Sequence, residues 1–209
     1  MAAEFMPTSC FITGTDTGVG KTYIACKLIR HYVALGYRVV GMKPVAAGCE
    51  LENGVWVNED VKLLTQASNV QVAHELMNPY CFHAPIAPHI AAEQAGVLIE
   101  LEVIRKAYME LTQLADIVVV EGAGGLLVPL NANDTMADLA ALLNIPILLV
   151  IGMRLGCINH TLLTVEVMQN RQLPLLGWVA NAIDPGMLSA TENLYTLQRH
   201  LAQYPQISL

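Results

Sequence analysis

Two lysines, two acids and a threonine in this chain stand where phosphate chemistry would need them. Lys21 and Thr22 close the run Gly14-Thr15-Asp16-Thr17-Gly18-Val19-Gly20-Lys21-Thr22, which follows the apolar Cys10-Phe11-Ile12-Thr13 and precedes a helical pattern from Tyr23 to Arg30. Strand, glycine-rich turn, Gly-Lys-Thr and helix form the grammar of a phosphate-binding loop. Glycines let the backbone approach a ligand closely, and successive N–H groups then make a concavity for phosphate oxygens at a helix N-terminus. Lys21 would reach the β- and γ-phosphates, and the Thr22 hydroxyl would bind Mg²⁺. The pattern is not the usual one throughout: Thr15 holds the place of the first glycine, and Gly14 lies one residue earlier. The alternative, a glycine-rich strand-to-helix turn with a chance Gly-Lys-Thr, leaves the flanking strand and helix patterns as coincidence.

Lys43 and Glu121 each follow an apolar run. Tyr37 to Met42 reads as a strand with Lys43-Pro44 at its C-terminal end, the end where open α/β sheets bind ligands. A solvated surface lysine is the plainer alternative there. Ile117-Val118-Val119-Val120 has the β-branched character of a central parallel strand, and Glu121-Gly122-Ala123-Gly124-Gly125 comes directly after it. An acid in that place can contact Mg²⁺ or its water, and the glycines admit a ligand; a plain tight turn is the alternative. Asp60 is open between two roles. Asn58 is a suitable N-cap for a helix to about Ala67, so Asp60 reads equally as a first-turn acid favoured by the helix dipole and as a metal ligand.

The elements that must position these residues alternate. The first helix is expected over Thr22–Leu35, closed by Gly36, with a loop over 46–58. Asn78 to Pro88 holds three prolines in eleven residues and reads as an open loop that carries His83. Apolar residues at 101, 104, 108, 111 and 114 mark a helix over 100–114. A helix over 135–143 capped by Asp134 or Thr135, a strand over 147–151 and a helix over 159–170 follow. A strand over 175–181, ending at Asn181, and a last helix over 187–200 complete the chain. This order predicts a single α/β domain over residues 1–209, a doubly wound P-loop NTPase-like fold with a mostly parallel sheet flanked by helices. Met1 to Phe5 are read either as native or as an appended remnant, with Met6 as the natural start.

Composition narrows the function classes. Hydrophobic residues make up 54% of the 209 and charged residues 14%, enough apolar material for a sheet buried on both faces. A net charge of −7 argues against nucleic-acid binding by bulk charge. Apolar runs are strand-length, short of the ~18 residues of a membrane span. Five cysteines at wide spacings, with no Cys-x-x-Cys pair, predict reduced thiols in a cytoplasm, and no zinc site or disulfide framework.

Seven short motifs occur in order: 14–22 as above, Lys-Pro-Val-Ala-Ala-Gly at 43–48, Asn-Pro-Tyr at 78–80, Pro-His at 88–89, Glu-Gly-Ala-Gly-Gly at 121–125, Leu-Gly-Cys-Ile-Asn-His at 155–160 and Gly-Trp-Val-Ala-Asn at 177–181. Through these the chain resembles the dethiobiotin synthetases over nearly its whole length. The resemblance implies an ATP- and Mg²⁺-dependent cyclo-ligase that joins CO₂ (or bicarbonate) to 7,8-diaminononanoate through a carbamate and a carbamic-phosphoric anhydride. It implies Lys21, Lys43 and Thr17 at the reacting groups, and Thr22, Asp60 and Glu121 at the metal. Nucleotide contacts would come from Gly18, Val19, Gly20, Lys21, Thr22 and Tyr23, from Glu121, Gly122, Ala123 and Gly124, and from Asn181 at the base. Thr17, Lys43 and Ala47 would meet the substrate, with Gly156, Cys157 and Asn159 of a second subunit in a homodimer holding its carboxylate. Neither membrane nor nucleic acid is implied as a partner. Two departures stand out. Ala47 replaces a serine that touches substrate in well-known members, so one hydrogen bond is expected to be absent or made by water. The sequence stops at Leu209, before a segment that helps to enclose adenine in relatives, so either it is truncated or its purine pocket is more open, and base specificity stays undetermined.

Three rivals remain on residues alone. A cobyrinate-type synthetase usually carries a glutaminase domain, for which this length has no room. A partitioning-type dimeric ATPase carries a lysine near the start of its loop, where this chain has Asp16. A nucleotide-binding module without catalysis leaves Lys21, Thr22, Lys43 and Glu121 without a purpose.

Overall fold

Residues 9–52 and 54–209 are described by a computed structural model, so the reading of Met1 to Phe5 lies outside the described residues. In chain order the elements begin β1 (Cys10–Gly14), α1 (Lys21–Ala34), β2 (Val39–Met42), β3 (Val45–Ala47), β4 (Glu50–Glu52), β5 (Val55–Val57) and α2 (Glu59–Ala67). Then come α3 (His74–Met77), β6 (Tyr80–Phe82), α4 (Pro88–Gln94), α5 (Leu101–Leu114) and β7 (Ile117–Gly125). The chain closes with α6 (Met136–Leu143), β8 (Ile147–Met153), α7 (Cys157–Asn170), β9 (Leu175–Ala182) and α8 (Ala190–His200).

A five-stranded sheet in the order β2-β7-β1-β8-β9 forms the centre. All four of its strand pairs are parallel. The physical cause is visible in composition. β1 and β8 are buried along their whole length, and β7 is buried from Ile117 through Gly122, so these strands tolerate apolar side chains on both faces. Helices must then cover both faces, and the connections cross over as parallel pairing requires. Truncating a core side chain such as Ile12 or Leu148, both at 0% exposure, should cost about 2–5 kcal/mol. Beyond β9, residues near the C-terminus shield the sheet edge: Trp178 N–H donates to Pro205 O at 3.1 Å and Ile207 N–H to Trp178 O at 2.8 Å. Among the described residues no helix is long and apolar enough to cross a membrane.

Several boundaries differ from expectation. The stretch expected as a loop over 46–58 contains β3 and the antiparallel hairpin β4–β5. Asn53-Gly54 is a hairpin signal that the loop reading passed over. β3 pairs in parallel with β6, thirty-odd residues away, a partner that local pattern does not reveal. For the same reason the proline-rich stretch from Asn78 holds a short strand, and its end, Pro88, opens α4 with His89. Glu121 lies inside β7, not after it, because β7 stays paired with β1 as far as Gly125, past the end of its pairing with β2 at Val120. Asn159 is the third residue of α7, which begins at Cys157 after Gly156 adopts φ 97°, a conformation that favours glycine. The second strand begins at Val39, and the last helix at Ala190 after Ser189 turns left-handed.

The expectation of five reduced thiols fails at two of them. Cys49 and Cys81 are joined as a disulfide with Cα atoms 6.2 Å apart. The β3–β6 pairing sets Cys81 beside Ala46, and the Cys49 N–H donates to Phe82 O at 2.9 Å, so the two side chains meet. Nothing in a spacing of 32 residues reveals that meeting. Cys10, Cys26 and Cys157 are free and buried.

Candidate active site

The sheet's register assembles the charged groups. Met42 of β2 lies opposite Val120 of β7, so the next residues along the two parallel strands are Lys43 and Glu121. Lys43 Nζ meets Glu121 Oε1 at 2.6 Å and Asp60 Oδ2 at 2.9 Å. Asp60 arrives from the first turn of α2, whose N-cap Asn58 accepts from the Asp60 N–H at 3.0 Å. Both readings of Asp60 therefore coexist in geometry: a first-turn acid that also faces the central cluster. The backbone of Lys43 is itself pinned. Its N–H donates to Met77 O at 2.8 Å, and Asn78 Nδ2 donates to its carbonyl at 2.6 Å.

The phosphate-type loop bridges β1 and α1 beside this cluster. Gly20 caps α1 at φ 87° without a side-chain cap, so the first N–H groups of a fourteen-residue helix remain for a ligand. A Cβ at Gly20 would lie 2.1 Å from Asn181 Nδ2, so the position must be glycine while Asn181 is seated there. Asn181 Nδ2 donates to Val19 O at 2.9 Å. Lys21 Nζ donates to Asp16 O at 3.0 Å, while the Asp16 carboxylate accepts from Thr17 N–H at 2.7 Å and pairs with Arg154.

Thr22 Oγ1 lies 2.8 Å from Asp60 Oδ1 and 2.9 Å from Glu121 Oε1, and its single proton serves one of them. Two carboxylates and a hydroxyl thus converge at the N-terminus of α1. Glu121 Oε2 is buried with no hydrogen-bond partner. That orphaned acceptor and this all-oxygen donor set fit Mg²⁺, which takes one or two carboxylates and fills the remainder with water and phosphate oxygens. Among the described residues there is no group of three or more His, Cys, Asp and Glu side chains built to hold a metal by themselves.

Electrostatics set the protonation states. Burial pulls the Lys21 ammonium down, and repulsion from Lys43 adds to this, giving a pKa of about 8. Burial opposes charge on Lys43 as well, but Glu121 and Asp60 outweigh it and hold the lysine above its usual value. Burial pushes Glu121 up against the pull of Lys43. The Asp60 carboxyl, 38% exposed, falls below its ordinary value because Lys43 overcomes its partial burial.

These groups open into one cavity of about 700 Å³. Its inner wall is the loop (Thr17, Gly18, Gly20, Lys21, Thr22) with Lys43, Asp60, Glu121, Ala123 and Gly124. Its outer wall is Val45 and Ala47 of β3, Asn58, and Pro85 to Pro88. Most of the residues singled out in the sequence therefore meet in one place. Val19 is buried beneath the loop, Tyr23 faces outward at 58% exposure, and Gly122 packs on Phe11. Gly156, Cys157 and Asn159 do not line the cavity; they sit at the start of α7, beyond the end of β8. Residues not singled out include Val45, Pro85, Ile86, Ala87 and Val128 in the lining, and Arg154 behind the loop. Asn78 stands out in the sequence only as part of Asn-Pro-Tyr, yet it fixes the Lys43 carbonyl. An asparagine before proline at the end of a helix was the available signal.

A P-loop turn joined to a central parallel sheet, with a lysine and two acids at the sheet's C-terminal edge, defines a P-loop NTPase-like α/β protein. Comparisons with known proteins agree. Residues 8–205 match the AAA domain family. Solved structures share the fold: the MinC:MinD cell division complex of Aquifex aeolicus at TM-score 0.53 and 15% identity, covering 91% of this chain and 78% of that one. Apo McdA of Cyanthece aligns at TM-score 0.54 and 11% identity, covering 96% and 84%. Nearer in sequence is the ATP-dependent dethiobiotin synthetase of Nitrosospira multiformis, 57% identical over 191 residues, 91% of this chain and 83% of the relative. That of Aromatoleum aromaticum is 50% identical over 195 residues, 93% and 87%. The chain belongs to the ATP-dependent dethiobiotin synthetase family.

Proposed function

We propose that this chain is a single-domain, cytoplasmic, ATP-dependent ligase that closes the ureido ring of dethiobiotin from 7,8-diaminononanoate and CO₂. The observation that carries the reading is Lys43 held between Glu121 and Asp60 within one cavity that also contains Lys21. One substrate amine captures CO₂ as a carbamate. A carbamate oxygen attacks the γ-phosphorus, ADP leaves, and the second amine then closes the ring and expels phosphate. Phosphoryl transfer of this kind depends on positioning and charge neutralisation more than on covalent help from the protein.

The geometry supports a role for each residue in this reading. The loop N–H groups and Lys21 take the phosphates. Lys43 and Thr17 face the carbamate. Thr22, Asp60 and Glu121 would hold Mg²⁺, which would supply neutralisation of phosphate charge. Asn181, seated on the loop at Val19 and outside the cavity lining, would meet the base. Ala47 offers the substrate a methyl group and no hydroxyl, while its carbonyl is engaged by Asn58 Nδ2 at 3.1 Å.

A homodimer completes the site in this reading. The α7 N-terminus, with Gly156, Cys157 and Asn159, is an anion site by its orphan N–H groups, yet it lies outside its own chain's cavity. It would hold the substrate carboxylate for the other subunit. Mixed Lys43→Ala and Asn159→Asp heterodimers should regain activity that neither homodimer has; no recovery, with heterodimers demonstrated by mass, would reject the shared site. For the reaction itself the test is ADP release measured with and without the diamine and bicarbonate. The proposal expects release to depend on both. Release independent of the diamine would favour a switch-type ATPase, whose loop lysine is here replaced by Asp16 paired with Arg154.

A further inference from the structure

The outer wall carries a feature that the proposed reaction does not use. Cys49 is 1% exposed, but Cys81 is half-buried and lines a separate groove of about 290 Å³ with Trp56, His83, Ala91 and Gln94. Cys49 follows β3, whose Ala47 lines the active-site cavity, so the bond links the groove residue Cys81 to the segment that carries the outer wall. His83 closes one side, its Nδ1 3.1 Å from Cys49 O and its ring 5.2 Å from Trp56. The bond ties β3 to β6, two strands of three residues each. Strands this short hold poorly alone. Their other ties are the ladder itself, the His83 contact to Cys49 O, and three backbone bonds: Tyr80 N–H to Pro44 O, Cys49 N–H to Phe82 O and Gly48 N–H to Ala84 O. Ala47 at the end of β3 and Pro85, just past β6, both face the active-site cavity.

We propose that Cys49–Cys81 is an exchangeable disulfide, opened by a dithiol that attacks Cys81 from the 290 Å³ groove, and that it governs how tightly the outer wall holds the diamine. In the first step a thiolate of the reductant bonds to Cys81 Sγ, the protein S–S bond breaks, and Cys49 leaves as a thiolate and takes up a proton. In the second, the reductant's other thiolate attacks the mixed disulfide and releases Cys81 as a thiolate, which is protonated in turn. The protein disulfide is thereby reduced by two electrons and the dithiol oxidised to its cyclic disulfide. The direction of attack follows from access, because Cys81 is half-buried and lines the groove while Cys49 is buried. In a reducing compartment such a bond is transient and suited to sensing, unlike the permanent bridges of secreted proteins. Reduction leaves the inner wall with Lys21 and Lys43 on the central sheet, so it should act on substrate affinity more than on turnover. This part rests on the proposed ligase reaction; the exchange chemistry does not.

The experiment uses the full-length protein oxidised with excess oxidised glutathione. Acid quenching and alkylation in denaturant should label three cysteines, Cys10, Cys26 and Cys157, before dithiothreitol and all five after it, reversibly. Brief native exposure to reduced glutathione, then acid, should leave the mixed disulfide on Cys81. In steady-state assays the diamine KM should rise several-fold on reduction with kcat nearly unchanged. Cys49→Ser/Cys81→Ser should match the reduced enzyme and ignore dithiothreitol. Five labelled thiols in the oxidised sample, reduction only after unfolding, or an adduct on Cys49 would overturn the exchange. A KM indifferent to redox state would overturn the link to the wall. An enzyme with no diamine activity in either state would instead reject the ligase reading, leaving the labelling result to stand by itself.

Discussion

The two walls of the active-site cavity are built differently. The inner wall stands on β1, β2 and β7, parallel strands of the central sheet with helices against them, and the register that opposes Met42 and Val120 brings Lys43 to Glu121. The outer wall stands on β3 and β6, a two-stranded sheet outside the main one, joined by a disulfide and flanked by the proline-rich turn. A packed sheet cannot move one strand without the others, so charges placed on it are held to the tolerance that phosphoryl transfer demands. A small peripheral sheet can shift. For the proposed reaction the contrast predicts a division of labour: the inner wall should set the barrier, and the outer wall should set the fit of the diamine.

Substitutions on the inner wall should have the largest effects. Lys21→Ala should lower kcat by the ~2.7–4 kcal/mol typical of a lost electrostatic stabiliser, with thermal stability kept, because burial already strains this ammonium. Lys43→Ala should lose turnover and stability together. It leaves Glu121 buried without its cation, and breaking a buried pair in this way costs about 3–5 kcal/mol. Turnover near wild type in either variant would remove that lysine from the barrier and break the comparison.

The metal set comes next. Glu121→Gln and Asp60→Asn each delete a charge and keep shape, so each should raise the Mg²⁺ concentration for half-maximal rate, Glu121→Gln more, since Glu121 is wholly buried and its own Oε2 is the orphaned acceptor. An unchanged Mg²⁺ profile for Asp60→Asn would return Asp60 to its role as a first-turn acid.

A pH effect should follow from Lys21. Its pKa in the free protein is about 8, so the ammonium is present below that value and lost above it. Phosphate binding favours the charged form. The dissociation constant for ATP should therefore rise from about pH 7 to about pH 9, approaching tenfold per unit at the upper end. Calorimetric titration at several pH values measures this, and a flat profile would mean that Lys21 does not bind phosphate as a cation.

The smallest expected change is on the outer wall. Ala47→Ser should lower the diamine KM by the equivalent of about 0.5–1.5 kcal/mol, one hydrogen bond, and leave kcat alone. A change in kcat would show that the outer wall reaches the barrier after all.

The two walls also differ in how far the sequence revealed them. The β-branched run at 117–120, the Gly-Lys-Thr turn and the lysine after Met42 carry local signals, and the central sheet with its cavity follows from them. Lys43, Lys21, Thr22, Asp60 and Glu121 do meet. β3, β6 and the disulfide depend on pairing between distant short segments, and each strand is only three residues long. Neither periodicity nor cysteine spacing carries that information. Asn78 belongs to the same group: its motif was visible, but its hydrogen bond to the Lys43 carbonyl exists only in the folded chain.

The central claim, that the inner wall directs the γ-phosphoryl group onto a carbamate, has a direct isotopic test. In a single rapid turnover with ATP, the diamine and ¹⁸O-labelled CO₂, the carbamate oxygen that attacks phosphorus leaves with the phosphate. The account requires one ¹⁸O atom in the inorganic phosphate released. Phosphate free of that label, with its new oxygen taken from water instead, would contradict it.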